Sequence, residues 1–330
     1  MPATLKAVHV AASALPIIDI SGLSSADPAD RRGVAQELRR ACLDKGFFYV
    51  KNHGIPETLV AQVFAEAETF FALPAADKLA LDKAHSKANR GYEPLKAQTL
   101  EAGAPPDLKE GFYIGPEHAA DDPRVLAGKF NHGPNQWPAN AGPGFHDTMT
   151  DYFTALLGLG ERLMRGIALS LDLDEDYFKD FCADPMATLR LLHYPPQQPG
   201  DAPEQRGAGA HTDFGGLTLL RQDNVGGLQV WDQESQGWVH AEPVPGTYIV
   251  NLGDMIARWT NDLYRSTLHR VINTSGRERY SVPFFYVGNY DHEVACIPTC
   301  LAAGEAPKYP PTTVEAHLRT MYARTYAPAT

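Results

Sequence analysis

His211, Thr212 and Asp213 set an imidazole and a carboxylate two residues apart. In an extended segment residues i and i+2 share one face, so both side chains aim at one point. His269 lies 56 residues beyond Asp213, far enough to arrive on a different strand. Two imidazoles and one carboxylate fill about half of an octahedral metal's positions; this donor set suits a non-haem Fe(II) centre with room for a chelating ligand and dioxygen. Ten residues past His269, Arg279 and Ser281 repeat the i, i+2 relationship. A guanidinium fork beside a hydroxyl is suited to gripping a carboxylate.

Each piece alone has a blander explanation. His-x-Asp is common in turns and on surfaces, a solitary histidine is usually buried and hydrogen-bonded, and Arg-x-Ser can be a strand ion pair. The order and spacing of all three single them out. The other ten histidines lack such a context. His53 sits in an Asn-His-Gly turn, where a structural role is expected, and His193 alternates with Tyr194 and is expected to face the opposite way.

Elements must hold these groups. Residues 28–46 carry Val34, Leu38, Ala41 and Cys42 at helical spacing, with Gly46 as a stop. Phe47 to Val50 reads as a short buried strand. A second helix starts at Pro56, with Leu59, Val63, Ala67, Phe70 and Phe71 on one face, and ends at Leu73-Pro74. Residues 84–145 are rich in Gly, Pro, Asn and charge and show little periodicity, as binding loops and lids often do. Residues 147–171 bear the clearest apolar stripe, Met149, Tyr152, Phe153, Leu156, Leu163, Met164 and Ile167, and predict a long core helix. From Thr188 short apolar runs alternate with turn signals such as Gly226-Gly227 and Gly253-Asp254, which predicts a sandwich or jelly roll. Pro310 to Tyr322 is expected to form a terminal helix.

Composition sets bounds. With 330 residues and 44% hydrophobic content, the chain can bury a large core as one big domain or two intimate ones. Net charge is −11, and no Lys/Arg run suggests a nucleic-acid or membrane surface. An acidic surface repels phosphate backbones, so no nucleic-acid partner is expected. The four cysteines Cys42, Cys182, Cys296 and Cys300 have no Cys-x-x-Cys spacing, which predicts a reducing compartment, the cytoplasm. Residues 7–18 are mildly apolar but interrupted, and read as structure, not as a targeting signal. No apolar run is long enough to span a bilayer. A monomer working on a small molecule is expected.

The sequence resembles the Fe(II)/2-oxoglutarate-dependent dioxygenases of the isopenicillin N synthase-like group. The resemblance runs nearly end to end: Leu15-Pro16-Ile17-Ile18-Asp19-Ile20, Gly46-Phe47-Phe48-Tyr49-Val50-Lys51-Asn52-His53-Gly54-Ile55, Phe70-Phe71-Ala72-Leu73-Pro74, Arg90-Gly91-Tyr92, Leu192-His193-Tyr194-Pro195-Pro196, Gly226-Gly227-Leu228-Gln229-Val230 and Ser266-Thr267-Leu268-His269-Arg270-Val271. It implies a mainly β fold with flanking helices. The core would be a double-stranded β-helix (jelly roll) spanning 146–330 with a C-terminal helix, joined in one compact unit to an N-terminal helical and strand region, 1–145. It implies Fe(II) on His211, Asp213 and His269, which are then the catalytic centre. It implies 2-oxoglutarate held through its distal carboxylate by Arg279, Ser281 and Tyr194. Many members carry Asn where this chain has Leu192, so one polar contact is absent here. The implied reaction couples decarboxylation of 2-oxoglutarate, with O2, to hydroxylation or a related oxidation of a small organic substrate.

Strand alternation extends the candidate pocket. If Tyr194 points inward, so do Leu192 and Arg190; if Ser281 does, so does Phe285. Core packing competes for Leu192 and Phe285, and a buried ion pair competes for Arg190. Phe112 and Tyr113, in the irregular segment, are candidates for the entrance, with a solvated loop as the alternative. Several rivals stay open at this level. Isopenicillin N synthase and the plant ethylene-forming oxidase resemble this family without using 2-oxoglutarate, and a bacterial ethylene-forming type fragments it. A zinc hydrolase or a non-catalytic metal- or ligand-binding protein would belong to other classes. The runs Leu189 to Pro195 and Ala257 to Asp262 resemble the thymine-hydroxylating branch and point to a polar small substrate.

Overall fold

A computed structural model describes residues 15–197, 202 and 204–325. The apolar stretch before Leu15 lies outside the described residues. In chain order the strands of the two main sheets are β1 (Ile17–Asp19), β2 (Phe47–Lys51), β3 (Gly91–Glu93), β4 (Glu110–Ile114), β5 (Met186–Tyr194), β6 (Ala208–His211), β7 (Leu217–Gln222), β8 (Leu228–Asp232), β9 (Gly237–His240), β10 (Tyr248–Leu252), β11 (His269–Val271) and β12 (Arg279–Gly288). Eight form one sheet, in the order β1-β2-β10-β7-β12-β5-β4-β3, and four form the other, β6-β11-β8-β9. The longer helices are α1 (Pro28–Asp44), α2 (Glu57–Phe71), α3 (Phe145–Ser170) and α4 (Val314–Thr325).

The large sheet works with both faces. Along β12, Val282, Phe284 and Tyr286 point to the helices and are buried. Phe153 of α3 meets Phe284 edge to face at 5.1 Å. α3 comes so close that a Cβ on Gly160 would lie 2.5 Å from the Tyr286 ring. The alternate residues Ser281, Pro283, Phe285 and Val287 face a cavity between the sheets. The period-2 alternation of a strand thus separates a packed wall from a lined pocket. α1 begins at Pro28 behind Asp27, whose carboxylate accepts the Ala29 N–H at 2.8 Å. Gly46 ends the segment at φ +62°, where a Cβ would strike Arg265 O at 2.1 Å.

Several expectations need correction. The stretch 84–145 is not simply irregular: it supplies β3 and β4 to the large sheet. Every residue of both strands is buried, so neither shows the polar/apolar alternation that marks a half-exposed strand. Their carboxylates are paired: Glu110 with Lys78 at 2.8 Å, Glu93 with Lys83 at 2.5 Å. Gly253-Asp254 is not a plain turn; Gly253 precedes a short helix, Asp254–Trp259. The terminal helix starts at Val314, not Pro310, because Thr312–Thr313 pairs first with Glu293–Val294.

Candidate metal and co-substrate site

His211 closes β6 and His269 opens β11, and the two are register partners across that ladder. Asp213 is not on β6, as the i, i+2 argument assumed, but in the segment just after it. Its backbone carbonyl accepts the Asp254 N–H at 2.7 Å, which anchors the segment to the helix that follows β10. The approach requires Gly253, where a Cβ would lie 2.2 Å from Gly215 O. The ligand atoms of His211, Asp213 and His269 all lie within 4.8 Å of one another. Asp213 Oδ1 is 3.8 Å from Nε2 of each histidine.

The far side of each of the three groups is occupied. His211 Nδ1 lies 2.8 Å from Gly209 O and His269 Nδ1 lies 3.1 Å from Thr267 O. A carbonyl only accepts, so each Nδ1 is the donor and each Nε2 is the atom turned to the other two groups. Asp213 Oδ2 accepts from Thr218 Oγ1 and from Asn251 Nδ2, leaving Oδ1 turned to the histidines. Burial, with His269 alongside, pushes the His211 pKa down to about 3, so the ring is neutral and ready to ligate. Burial alone would raise the Asp213 pKa; His269, His211 and the donors Asn251 and Thr218 outweigh it and hold the carboxylate ionised. Two imidazoles and one carboxylate on one side of a cavity suit an octahedral divalent ion such as Fe(II).

Arg279 is fully buried on β12. Nε donates to Gly226 O and Nη2 to Gln222 Oε1 at 3.0 Å, whereas Nη1 has no partner among the described residues. The Gln222 amide is itself oriented by donating to Ala241 O at 3.0 Å. Tyr194, the register partner of Arg279, lies with its ring 4.7 Å from the guanidinium. Ser281 is the next residue on the same face, opposite Leu192. An unpaired guanidinium N–H buried beside a hydroxyl is costly unless an anion pairs with it.

Arg190, Leu192 and Phe285 line this same cavity, as alternation anticipates. The Arg190 guanidinium is sandwiched between the rings of Tyr113 and Phe285, each 4.5 Å from its centre. Phe112 is a correction: it turns away from the cavity into the helix-side core, 4.5 Å from the Phe70 ring. Tyr113 is buried rather than at an entrance; its hydroxyl donates to Glu93 and its ring backs Arg190. His193 faces away from the cavity, between Glu110 at 2.7 Å and Glu278 at 2.6 Å. Sequence reasoning missed Thr218 and Asn251 on Asp213, and Gln222 on Arg279. It missed Phe214, Asn131, Tyr290, Leu318 and Tyr322, which also line the cavity. Thr218 and Gln222 sit on β7 and Asn251 on β10; Asn131, Phe214 and Tyr290 come from loops, and Leu318 and Tyr322 from α4.

Residues 15–140 match the family described as non-haem dioxygenase in morphine synthesis N-terminal, and residues 185–288 match the 2OG-Fe(II) oxygenase superfamily. The chain belongs to that superfamily: it is an Fe(II)/2-oxoglutarate-dependent dioxygenase that couples oxidative decarboxylation of 2-oxoglutarate to oxidation of a small organic substrate. It is 48% identical over 324 residues to the 2-oxoglutarate-Fe(II) type oxidoreductase hxnY of Emericella nidulans, covering 97% of this chain and 93% of the relative. Clavatol oxidase claD of Penicillium crustosum is 37% identical, covering 95% of this chain and 97% of the relative. Among solved structures, a full-length Neurospora crassa protein in complex with alpha-KG and thymine is 33% identical, with a TM-score of 0.83 over 97% of this chain and all of that one (100%).

Proposed function

We propose that His211, Asp213 and His269 hold the Fe(II), that Arg279, Ser281 and Tyr194 hold the distal carboxylate of 2-oxoglutarate, and that the enzyme hydroxylates a small, planar, polar molecule. The unpaired, fully buried Nη1 of Arg279 carries the co-substrate assignment: among the described residues it has no partner, and a carboxylate supplies one. Bound Fe(II) would supply the redox chemistry with O2. The chain's own residues supply orientation and dryness. Leu192 and Phe285 form apolar wall, so a C–H bond can lie against them without competing polar contacts. Arg190 has both faces covered by rings, so only the edge of its guanidinium can meet a ligand. That edge suits a carbonyl or carboxylate lying in the plane of a flat molecule. Thymine in the related Neurospora crassa complex is of that kind. A panel of small heterocycles, scored by succinate released above the uncoupled background, tests the proposal.

The N-terminal region, 1–145, and the core, 146–330, act as one unit in this reading. The support is that β1, β2, β3 and β4 extend the sheet carrying β12. A monomer is proposed, to be checked by sedimentation. Four free cysteines support a reducing compartment such as the cytoplasm. No helix among the described residues is long and apolar enough to cross a membrane.

A further inference from the structure

β6 is the edge strand of the small sheet. Its ladder with β11 is irregular: His269 opposes His211 but Val271 opposes Ala208, so three steps along β6 span two along β11. Such a bulge leaves backbone groups without ladder partners and re-aims the side chain beside it. Here the released N–H groups are taken by carboxylates from a segment about a hundred residues earlier in the chain. The Gly209 N–H donates to Asp107 Oδ1 at 2.9 Å, and the Ala210 N–H donates to Glu101 Oε2 at 2.9 Å. Each carboxylate has its own cation, Lys109 for Asp107 and Arg206 for Glu101. Only glycine allows the approach, because a Cβ at position 209 would lie 2.7 Å from Glu101 Cβ and 2.8 Å from Glu101 N.

The peptide unit between Gly209 and Ala210 is therefore held at both poles. Its N–H donates to Glu101, and its C=O accepts the Nδ1–H of His211 at 2.8 Å. We infer that Glu101, acting through this peptide, is a positioning residue for the metal ligand His211, and that the bulge exists to connect them. A negative charge at the N–H pole polarises the amide and makes its carbonyl a better acceptor. A stronger pull on Nδ1–H enriches Nε2, the atom turned to the metal. Metal-bound histidines are commonly tuned by a carboxylate directly on the distal nitrogen; here a peptide is interposed. Asp107 holds the preceding peptide and keeps the polarised one in register. The inference rests on His211 being a metal ligand.

The test uses metal-free full-length protein titrated with Co(II) and followed by its visible ligand-field bands. Glu101→Ala removes the acceptor and the charge; Glu101→Gln keeps an oxygen acceptor and removes only the charge. Co(II) affinity is expected to fall by about ten-fold in Glu101→Ala, the size seen when a histidine ligand loses its supporting partner. Glu101→Gln is expected to fall between that variant and wild type, with shifted bands. A clamp that merely stabilises the loop would lower the unfolding temperature and leave the Co(II) affinity and bands of folded Glu101→Gln at wild-type values, and that result overturns the inference. If Glu101→Ala does not fold, Glu101→Gln decides alone. His211→Ala separates the two levels: wild-type Co(II) affinity in that variant would sink the metal-site assignment itself.

Discussion

His269 stands directly across the β6–β11 ladder from His211, with ring centroids 4.3 Å apart. Cross-strand neighbours on one face are held by the ladder, so the separation of the two imidazoles is set by backbone pairing, not by side-chain flexibility. Asp213 lacks that support and depends on Thr218, Asn251 and the Asp254 N–H. The carboxylate is thus the proposed ligand most open to perturbation from a distance.

Asn251→Leu is expected to weaken Fe(II) binding by about ten-fold while the fold persists, since Asp213 Oδ2 then has one donor where it had two. Equilibrium dialysis of metal-free protein checks this. Asp213→Ala is expected to abolish turnover. Full Fe(II) affinity and turnover in Asp213→Ala would remove it from the ligand set.

Arg279→Ala is expected to raise the 2-oxoglutarate KM by about ten-fold or more, because a charge-assisted hydrogen bond contributes about 1.5–3 kcal/mol. Arg279→Lys is expected to recover only part, since an ammonium cannot reproduce the fork bonded to Gly226 and Gln222. An unchanged KM in both variants would place the co-substrate elsewhere.

Arg190→Met separates two roles for one residue. If its guanidinium edge meets substrate, prime-substrate KM rises while 2-oxoglutarate binding and uncoupled succinate formation stay near wild type. The competing role is electrostatic support of Glu93, whose carboxyl is held below its usual range against burial by Lys83, Tyr113 and Arg190. In that case thermal stability and both kinetic readouts fall together.

His193 gives the fold a pH signature away from the metal. Burial alone would lower its pKa, but hydrogen bonds to Glu110 and Glu278 outweigh it and raise the value above the ordinary 6.5. The folded state therefore binds a proton more tightly than the unfolded chain. The resulting stability is present below about pH 6.5 and is lost as pH rises through the folded value. The difference in unfolding temperature between wild type and His193→Gln is expected to be largest near about pH 5.5 and to shrink toward about pH 8; a difference that does not change with pH would contradict it.

The helix-side wall is expected to be costly to disturb. Phe284 is fully buried against Phe153 of α3, so Phe284→Ala should lower stability by about 3–5 kcal/mol, measured by urea unfolding.

What the residues alone determined is what local spacing can encode. His211, Asp213, His269, Arg279 and Ser281 were legible as candidates because close spacing and a fixed order along the chain survive without knowledge of the fold, even though Asp213 follows β6 instead of lying on it. Strand alternation likewise read Arg190, Leu192 and Phe285 as one face, because no bulge interrupts β5 or the stretch of β12 from Arg279 to Phe285. The helices α1, α2 and α3 were visible because each buries one continuous stripe. Tertiary structure decided the rest. Phe112 was misplaced because nothing in 84–145 reveals that β4 is buried on both faces. Asn251 meets Asp213 across 38 residues, and Glu101 reaches Ala210 across 109. Such contacts arise from register, from a bulge and from a glycine thin enough to admit a neighbouring chain, and none of these leaves a periodic trace in a linear sequence.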